Sequence, residues 1–346
     1  MKLLSTFLKS IFFSTVIGLS ANAQSVVTDP VGFVTVTAAA GTGSTKTTTV
    51  LSFPLLGTAS ISGVALGIIT GVGTNTITNS NAGWVAGDLS VAASPYVVQI
   101  TSGTAKGRIF LISSVSPNTT TTVTLDSFEA GQTNLTSLGI VAGTDTYSVF
   151  PCDTLSSLLG TPATTSVQGG TGTGDADVAQ LFVSGAWRQY FYSTAAAAWV
   201  RVGPGTVSNN VPIRPDTGLI YTRLAATPLS LTLLGRAPTL SRQAGVSNSG
   251  VTFVSNSWPA DITLGNSGIN AIPGWASGAS ASADVIQIFV AGAWRQYYND
   301  GTNWRRVGPG TLSDSVVIAT GTSFILNKKG LTTGLSVLSQ TLPYTL

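Results

Sequence analysis

The chain of 346 residues contains no histidine, one cysteine, one glutamate and one methionine, and only 8% of its residues carry charge. Each scarcity excludes chemistry. Without histidine there is no imidazole to serve as general base, to activate a serine or to complete the common zinc sets. The single Cys152 has no intramolecular partner for a disulfide and is expected to be a small buried apolar residue. Glu129, near Asp126, offers the one place where a glutamate could join a second carboxylate, and both fall in a predicted loop where solvated charges are the expectation. Lysine bases are few: Lys46, Lys106, Lys328 and Lys329 beyond the N-terminal segment. The expectation is a protein that is not an enzyme and takes no cofactor and no metal.

What is present begins with a targeting segment. Lys2 precedes a run from Leu3 to Ser20 that is apolar apart from Lys9 and a few hydroxyls, and Ala21-Asn22-Ala23 places small residues before Gln24. Residues 1–23 read as a cleaved Sec signal peptide, which predicts a secreted protein, extracellular or on the outer cell surface, with the periplasm as the other destination. Cleavage removes two lysines and leaves 14 basic against 13 acidic groups, a net charge of +1. No stripe of Lys and Arg remains that could neutralise a row of phosphates, so nucleic acid is not an expected partner. No second apolar run approaches the length of a transmembrane helix.

The remaining chain is rich in Gly, with 39, and in Thr, and poor in helix-favouring charged residues, a composition suited to strands and turns. It also repeats itself. Asp177 to Tyr190 (Asp-Val-Ala-Gln-Leu-Phe-Val-Ser-Gly-Ala-Trp-Arg-Gln-Tyr) returns as Asp284 to Tyr297 (Asp-Val-Ile-Gln-Ile-Phe-Val-Ala-Gly-Ala-Trp-Arg-Gln-Tyr). Trp199 and Arg201-Val202-Gly203-Pro204-Gly205-Thr206 return as Trp304 and Arg306-Val307-Gly308-Pro309-Gly310-Thr311, after a two-residue shortening that marks a loop tip. Alternation predicts strands at 178–183, 186–192 and 199–202, a β-meander, with the Gly-Pro-Gly corner explained by backbone geometry. Gly218 to Arg223 answers to Ser323 to Lys328 as a final strand closing each unit, and Thr154-Leu155 and Thr263-Leu264 open the units.

The region before 150 lacks this signature and reads as a separate β domain. Its clearest part is a three-stranded meander over 95–101, 108–113 and 120–125. The expected fold is all-β: signal peptide 1–23, an N-terminal antiparallel β domain 24–150, and two homologous β-meander units, 151–255 and 256–346, sandwich- or barrel-like.

The chain opens its mature part with Asp29-Pro30-Val31-Gly32-Phe33. It continues with Tyr96-x-Val-x-Ile-Thr-Ser-Gly103, an Asp-x-Val strand before a Tyr-rich hairpin, and an apolar strand ending at Arg223. In these features it resembles an uncharacterised family of paralogous secreted proteins of Verrucomicrobia. The resemblance covers most of the mature chain. It implies a secreted β protein and carries no catalytic residue, substrate or cofactor.

Two constellations bear on function. Asp175 and Asp177 close the Gly-rich run 169–177 and could offer oxygen ligands to calcium. The second copy keeps Asp284 but has Ala-Ser-Ala before it, so Asp177 and Asp284 read as structural positions and Asp175 as a loop residue. The other is aromatic. Trp187, Arg188, Tyr190 and Trp199 recur as Trp294, Arg295, Tyr297 and Trp304 around the same hairpin. Exposed, they could stack sugar rings with an arginine bonding hydroxyls; buried, they serve the sheet as cross-strand and cation–π partners. The structural use is favoured. The positive mean hydropathy with little charge suits a non-enzymatic structural or adhesive protein of the cell exterior, partnered by itself or by cell-envelope or extracellular polysaccharide. A carbohydrate-binding protein using the repeated hairpins is the alternative. An outer-membrane barrel fits less well, because the predicted strands are shorter than tilted membrane strands.

Overall fold

The computed structural model describes residues 30–57, 66–126, 134–183, 185–330 and 334–345. The predicted signal peptide, Asp29, Glu129 and Ser184 lie outside the described residues. Within them the chain is all-β, built of antiparallel sheets that close no barrel.

The strands run in chain order through four groups. First come β1 (Val31–Ala38) and β2 (Thr47–Leu51). A block of seven follows: β3 (Gly67–Ile68), β4 (Gly71–Val72), β5 (Thr76–Thr78), β6 (Tyr96–Ile100), β7 (Ile109–Leu111), β8 (Thr122–Thr124) and β9 (Thr146–Pro151). Next are β10 (Asp153–Thr154), the short helices α1 (Leu155–Leu159) and α2 (Pro162–Thr165), β11 (Val178–Val183), β12 (Ala186–Ser193), β13 (Ala198–Arg201), β14 (Pro212–Ile213), β15 (Leu219–Arg223) and β16 (Leu229–Arg236). The last block is β17 (Arg242–Ser247), β18 (Ser249–Ser255), β19 (Ile262–Thr263), β20 (Val285–Val290), β21 (Ala293–Asn299), β22 (Trp304–Arg306), β23 (Val317–Ile318), β24 (Ser323–Lys329) and β25 (Leu335–Gln340).

Pairing shows a duplication larger than the repeated sequence. One five-stranded sheet has the order β13-β12-β11-β15-β2, and the other β22-β21-β20-β24-β18. Each is accompanied by a two-stranded ribbon, β1 with β16 and β17 with β25, and by a small ladder, β10 with β14 and β19 with β23. The ladders lead into equivalent turns, where Thr154 bonds reciprocally with Ser157 and Thr263 with Asn266. β11 and β20 bury the same pattern of side chains, as expected of twin copies.

The domain boundaries read from sequence shift accordingly. β1 and β2 lie in the stretch assigned to an N-terminal domain, yet they pair with β16 and β15 and complete the first repeat. β17 and β18, placed at the end of the first unit, pair with β25 and β24 and belong to the second. The strand at 219–223 lies beside β11, and another strand, β16, follows it. Residues 58–150 are therefore an insertion between β2 and β10, where the second repeat has only the turn from Asn256 to Asp261. The chain leaves and re-enters at one point. A Cβ on Gly57 would come 2.8 Å from the Pro151 carbonyl oxygen, and a site with adjacent ends accepts an inserted module readily.

The inserted module has its own core, including Ile69, Ile77, Trp84, Val98, Phe110 and Tyr147, between the sheets β3-β9-β6-β7 and β4-β5-β8. The expected hairpin β6–β7 is present, but the third strand of that meander, β8, pairs with β5 instead. The three-residue β7 reaches β8's neighbourhood by one bridge only, Ile112 to Leu125, so the chain crosses to the other sheet.

The repeats meet about a pseudo-two-fold axis. The Ser52 N–H donates to Gly321 O at 2.8 Å and the Ser255 N–H to Asp216 O at 3.3 Å, and these are equivalent bonds. Gly218 and its counterpart Ser323 face each other there, and a Cβ on Gly218 would lie 2.4 Å from Ser323 Oγ, so only glycine fits.

Candidate functional site

A strand directs successive side chains to opposite faces, and this divides the aromatic hairpin residues. On β12, Tyr190 points into the first repeat's core. Trp199 of β13 is fully buried there and donates its indole N–H to the Gly160 carbonyl at 2.9 Å. On β21 and β22, Tyr297 and Trp304 occupy the same places in the second core, with Trp304 packed on Trp275 at 6.0 Å. These four are inside the sheets and unavailable to a ligand. Burial pushes the Tyr190 phenol up, against the pull of Arg188 and Arg201. Arg188 is thus beside Tyr190, across the sheet from Trp187, and Arg295 stands across from Trp294 by the same alternation. The pairing of each tryptophan with its neighbouring arginine over one ligand does not occur.

Trp187 and Trp294 remain on the outer face. Trp294 is half-buried against Phe289, ring centres 5.2 Å apart. Trp187 packs on Phe182 at 5.1 Å and edge-on to Phe253 of the other repeat at 5.2 Å, and still exposes 40% of its surface. Its ring borders a cleft of about 480 Å³ between the repeats. One wall is the β11–β12 tip with Phe182, Gly185 and Trp187, the other is β17 and β18 with Gly245, Ser247, Ser249 and Val251, and Arg214, Asp216 and Thr217 close it. Apolar faces with a few convergent polar groups, at this volume, characterise small-molecule and sugar sites.

The polar groups are unevenly satisfied. Arg214 Nε lies 3.5 Å from Asp216 Oδ1, and both side chains are mostly buried. Asp216 Oδ1 accepts no hydrogen bond among the described residues. On β17, Arg242 is 4% exposed, and none of its three guanidinium nitrogens has a hydrogen-bond partner there. Burial pulls Arg242 down to about 10, opposed by the charge of Asp216 and then by Tyr344.

The carboxylates singled out from sequence are structural. Asp177 is fully buried and accepts from the N–H groups of Gln168 and Leu224, from the Tyr221 hydroxyl and from Arg223. Asp284 accepts from the N–H groups of Ala276 and Lys329. Asp175 folds back on its loop, where the Thr171 and Gly172 N–H groups and the Thr171 hydroxyl hold its carboxyl down to about 2. Cys152 is buried, as expected. Gly203 and Gly205 take φ of 94° and 66°, and Gly308 and Gly310 take 93° and 67°, so backbone geometry accounts for both corners.

Phe182, Phe253, Arg214 and Asp216 were not singled out from sequence. The available signal was divergence: carried on from the Trp199 to Trp304 alignment, Arg214 and Asp216 fall opposite Ala319 and Gly321. Comparison with known protein families, curated proteins and solved structures finds no match to this chain.

Proposed function

We propose that this is a secreted, non-enzymatic adhesive protein of the cell exterior that holds polysaccharide in the cleft between its two repeats. The carrying observation is Trp187, a large indole left 40% exposed over a cleft between the repeats, where its counterpart Trp294 is half-buried against Phe289. Exposure of so large an apolar face costs roughly 25 cal/mol per Å² relative to burial, which a stacked sugar ring recovers. Export rests on the Met1–Ala23 segment, and the non-enzymatic reading rests on a chain with no histidine and one glutamate.

The test is a depletion assay of the exported protein on insoluble glucan, xylan, mannan and chitin and on gels of alginate and polygalacturonate. N-terminal sequencing of the same preparation should begin at Gln24. At least one polymer is expected to retain the protein, and Trp187→Ala to abolish retention while its far-UV circular dichroism stays that of the wild type. Retention of the variant at the wild-type level, or no retention of the wild type by any of the six, would overturn the reading.

A further inference from the structure

The duplication supplies an internal control for the cleft, because a feature serving only the fold should recur in both copies. The fold-serving features do recur. The Trp199 N–H donates to Asn209 Oδ1 at 2.9 Å and the Trp304 N–H to Asp314 Oδ1 at 3.0 Å. Three cleft groups do not recur. Arg214 corresponds to Ala319, Asp216 to Gly321, and Phe253, through the equivalent registers of β2 and β18, to Val50. Gly321 has φ of 73°, and a Cβ there would come 3.1 Å from Val36, so a carboxylate has no room at the counterpart position.

Resting on the polysaccharide reading above, we propose that the chain has one sugar site, not two, and that Asp216 is its specificity-determining group, accepting hydroxyls of a neutral sugar stacked on Trp187. Asp216 lies between opposite charges: Arg214 at 3.5 Å and the buried Arg242, whose attraction to it is opposed by no hydrogen bond elsewhere. Asp216 lines the cleft, and although its Oδ1 is sealed inside, the side chain keeps 11% of its surface exposed, which is the part a sugar hydroxyl reaches. A neutral sugar supplies donors. A uronic acid brings a second carboxylate, which Asp216 repels and which competes with it for Arg214.

The experiment is affinity electrophoresis of the full mature chain in the six polymers in soluble form, repeated with Asp216→Asn, Phe253→Leu, Trp187→Ala and Trp294→Ala, each checked by near-UV circular dichroism. The expected result is retardation by a neutral polymer, weakened at least tenfold by Asp216→Asn and lost in Trp187→Ala. Trp294→Ala should bind within about twofold of wild type. Should Asp216→Asn misfold, Phe253→Leu carries the test, with a comparable loss expected. Preferential retardation by alginate or polygalacturonate, undiminished binding in Asp216→Asn, or an equal loss in Trp294→Ala overturns the single neutral-sugar site and leaves polysaccharide binding standing. Absence of retardation in every polymer overturns both.

Discussion

At the residue scale the two copies solve one burial problem differently. Asp177 and Arg223 form a fully buried ion pair at 2.6 Å, and the carboxylate has three further donors. Removing one partner of such a pair strands the other charge in a low-dielectric interior. In the second repeat Lys328 replaces Arg223, is too far from Asp284 for an ion pair, and donates instead to the Pro273 carbonyl at 2.9 Å. Burial pulls the Lys328 amine below its ordinary value, with the Asp284 charge opposing. Asp177→Ala is therefore expected to destabilise by about 3–5 kcal/mol, and Asp284→Ala by about 1–3 kcal/mol, the cost of stranded backbone donors. Urea unfolding of the two variants side by side measures the difference; equal losses would mean that the Asp177 ion pair adds nothing.

At the scale of elements, the insertion between β2 and β10 is a module with its own core, seated on the first repeat through Leu56, Val97, Ile109, Phe150 and Cys152. The Cys152 thiol is pushed up chiefly by burial and donates weakly to the Ile213 carbonyl at 3.6 Å. In the whole protein it should resist a thiol reagent at pH 8. Replacing residues 58–150 by a six-residue linker, on the pattern of the turn from Asn256 to Asp261, should leave both repeats folded and make Cys152 react within minutes. Rapid modification of the intact protein would show that the module does not cover Cys152, and collapse of the shortened chain's circular dichroism would show that the module and the repeats are one cooperative unit.

At the scale of the whole molecule, the repeats form a pseudo-dimer within one chain, and the C-terminal segment fastens their junction. The Tyr344 hydroxyl donates to the Pro238 carbonyl at 2.7 Å, in the link between β16 and β17, and its ring packs edge-on to Trp258 at 6.1 Å. Burial raises the Tyr344 phenol from 10.0 to about 12, with Arg242 opposing. An acid raised on folding contributes stability that is fully present below its unfolded value and is lost as pH rises through the folded one. The advantage of the wild type over Tyr344→Phe should thus hold up to about pH 10 and shrink between pH 10 and 12. Melting temperatures of both proteins from pH 8 to 12 test this, and a constant difference would deny the tie.

Local pattern was enough to establish the all-β class, the hairpins β11–β12 and β20–β21, the Gly-Pro-Gly corners and the structural standing of Asp177, because strand alternation and turn chemistry act over a few residues. Alternation also held the information that Arg188 and Trp187 face opposite ways. It could not disclose that β2 joins β15 across about 170 residues, since Thr47-Thr-Thr-Val-Leu51 and Gly250-Val-Thr-Phe-Val254 share little but the capacity to pair. Backbone hydrogen bonds are indifferent to side-chain identity, so such partners diverge freely while the ladder persists. The cleft had the same origin. Phe253, Arg214 and Trp187 come from three distant segments, and only the pseudo-two-fold packing of the repeats, a matter of shape and not of local pattern, brings them to one place.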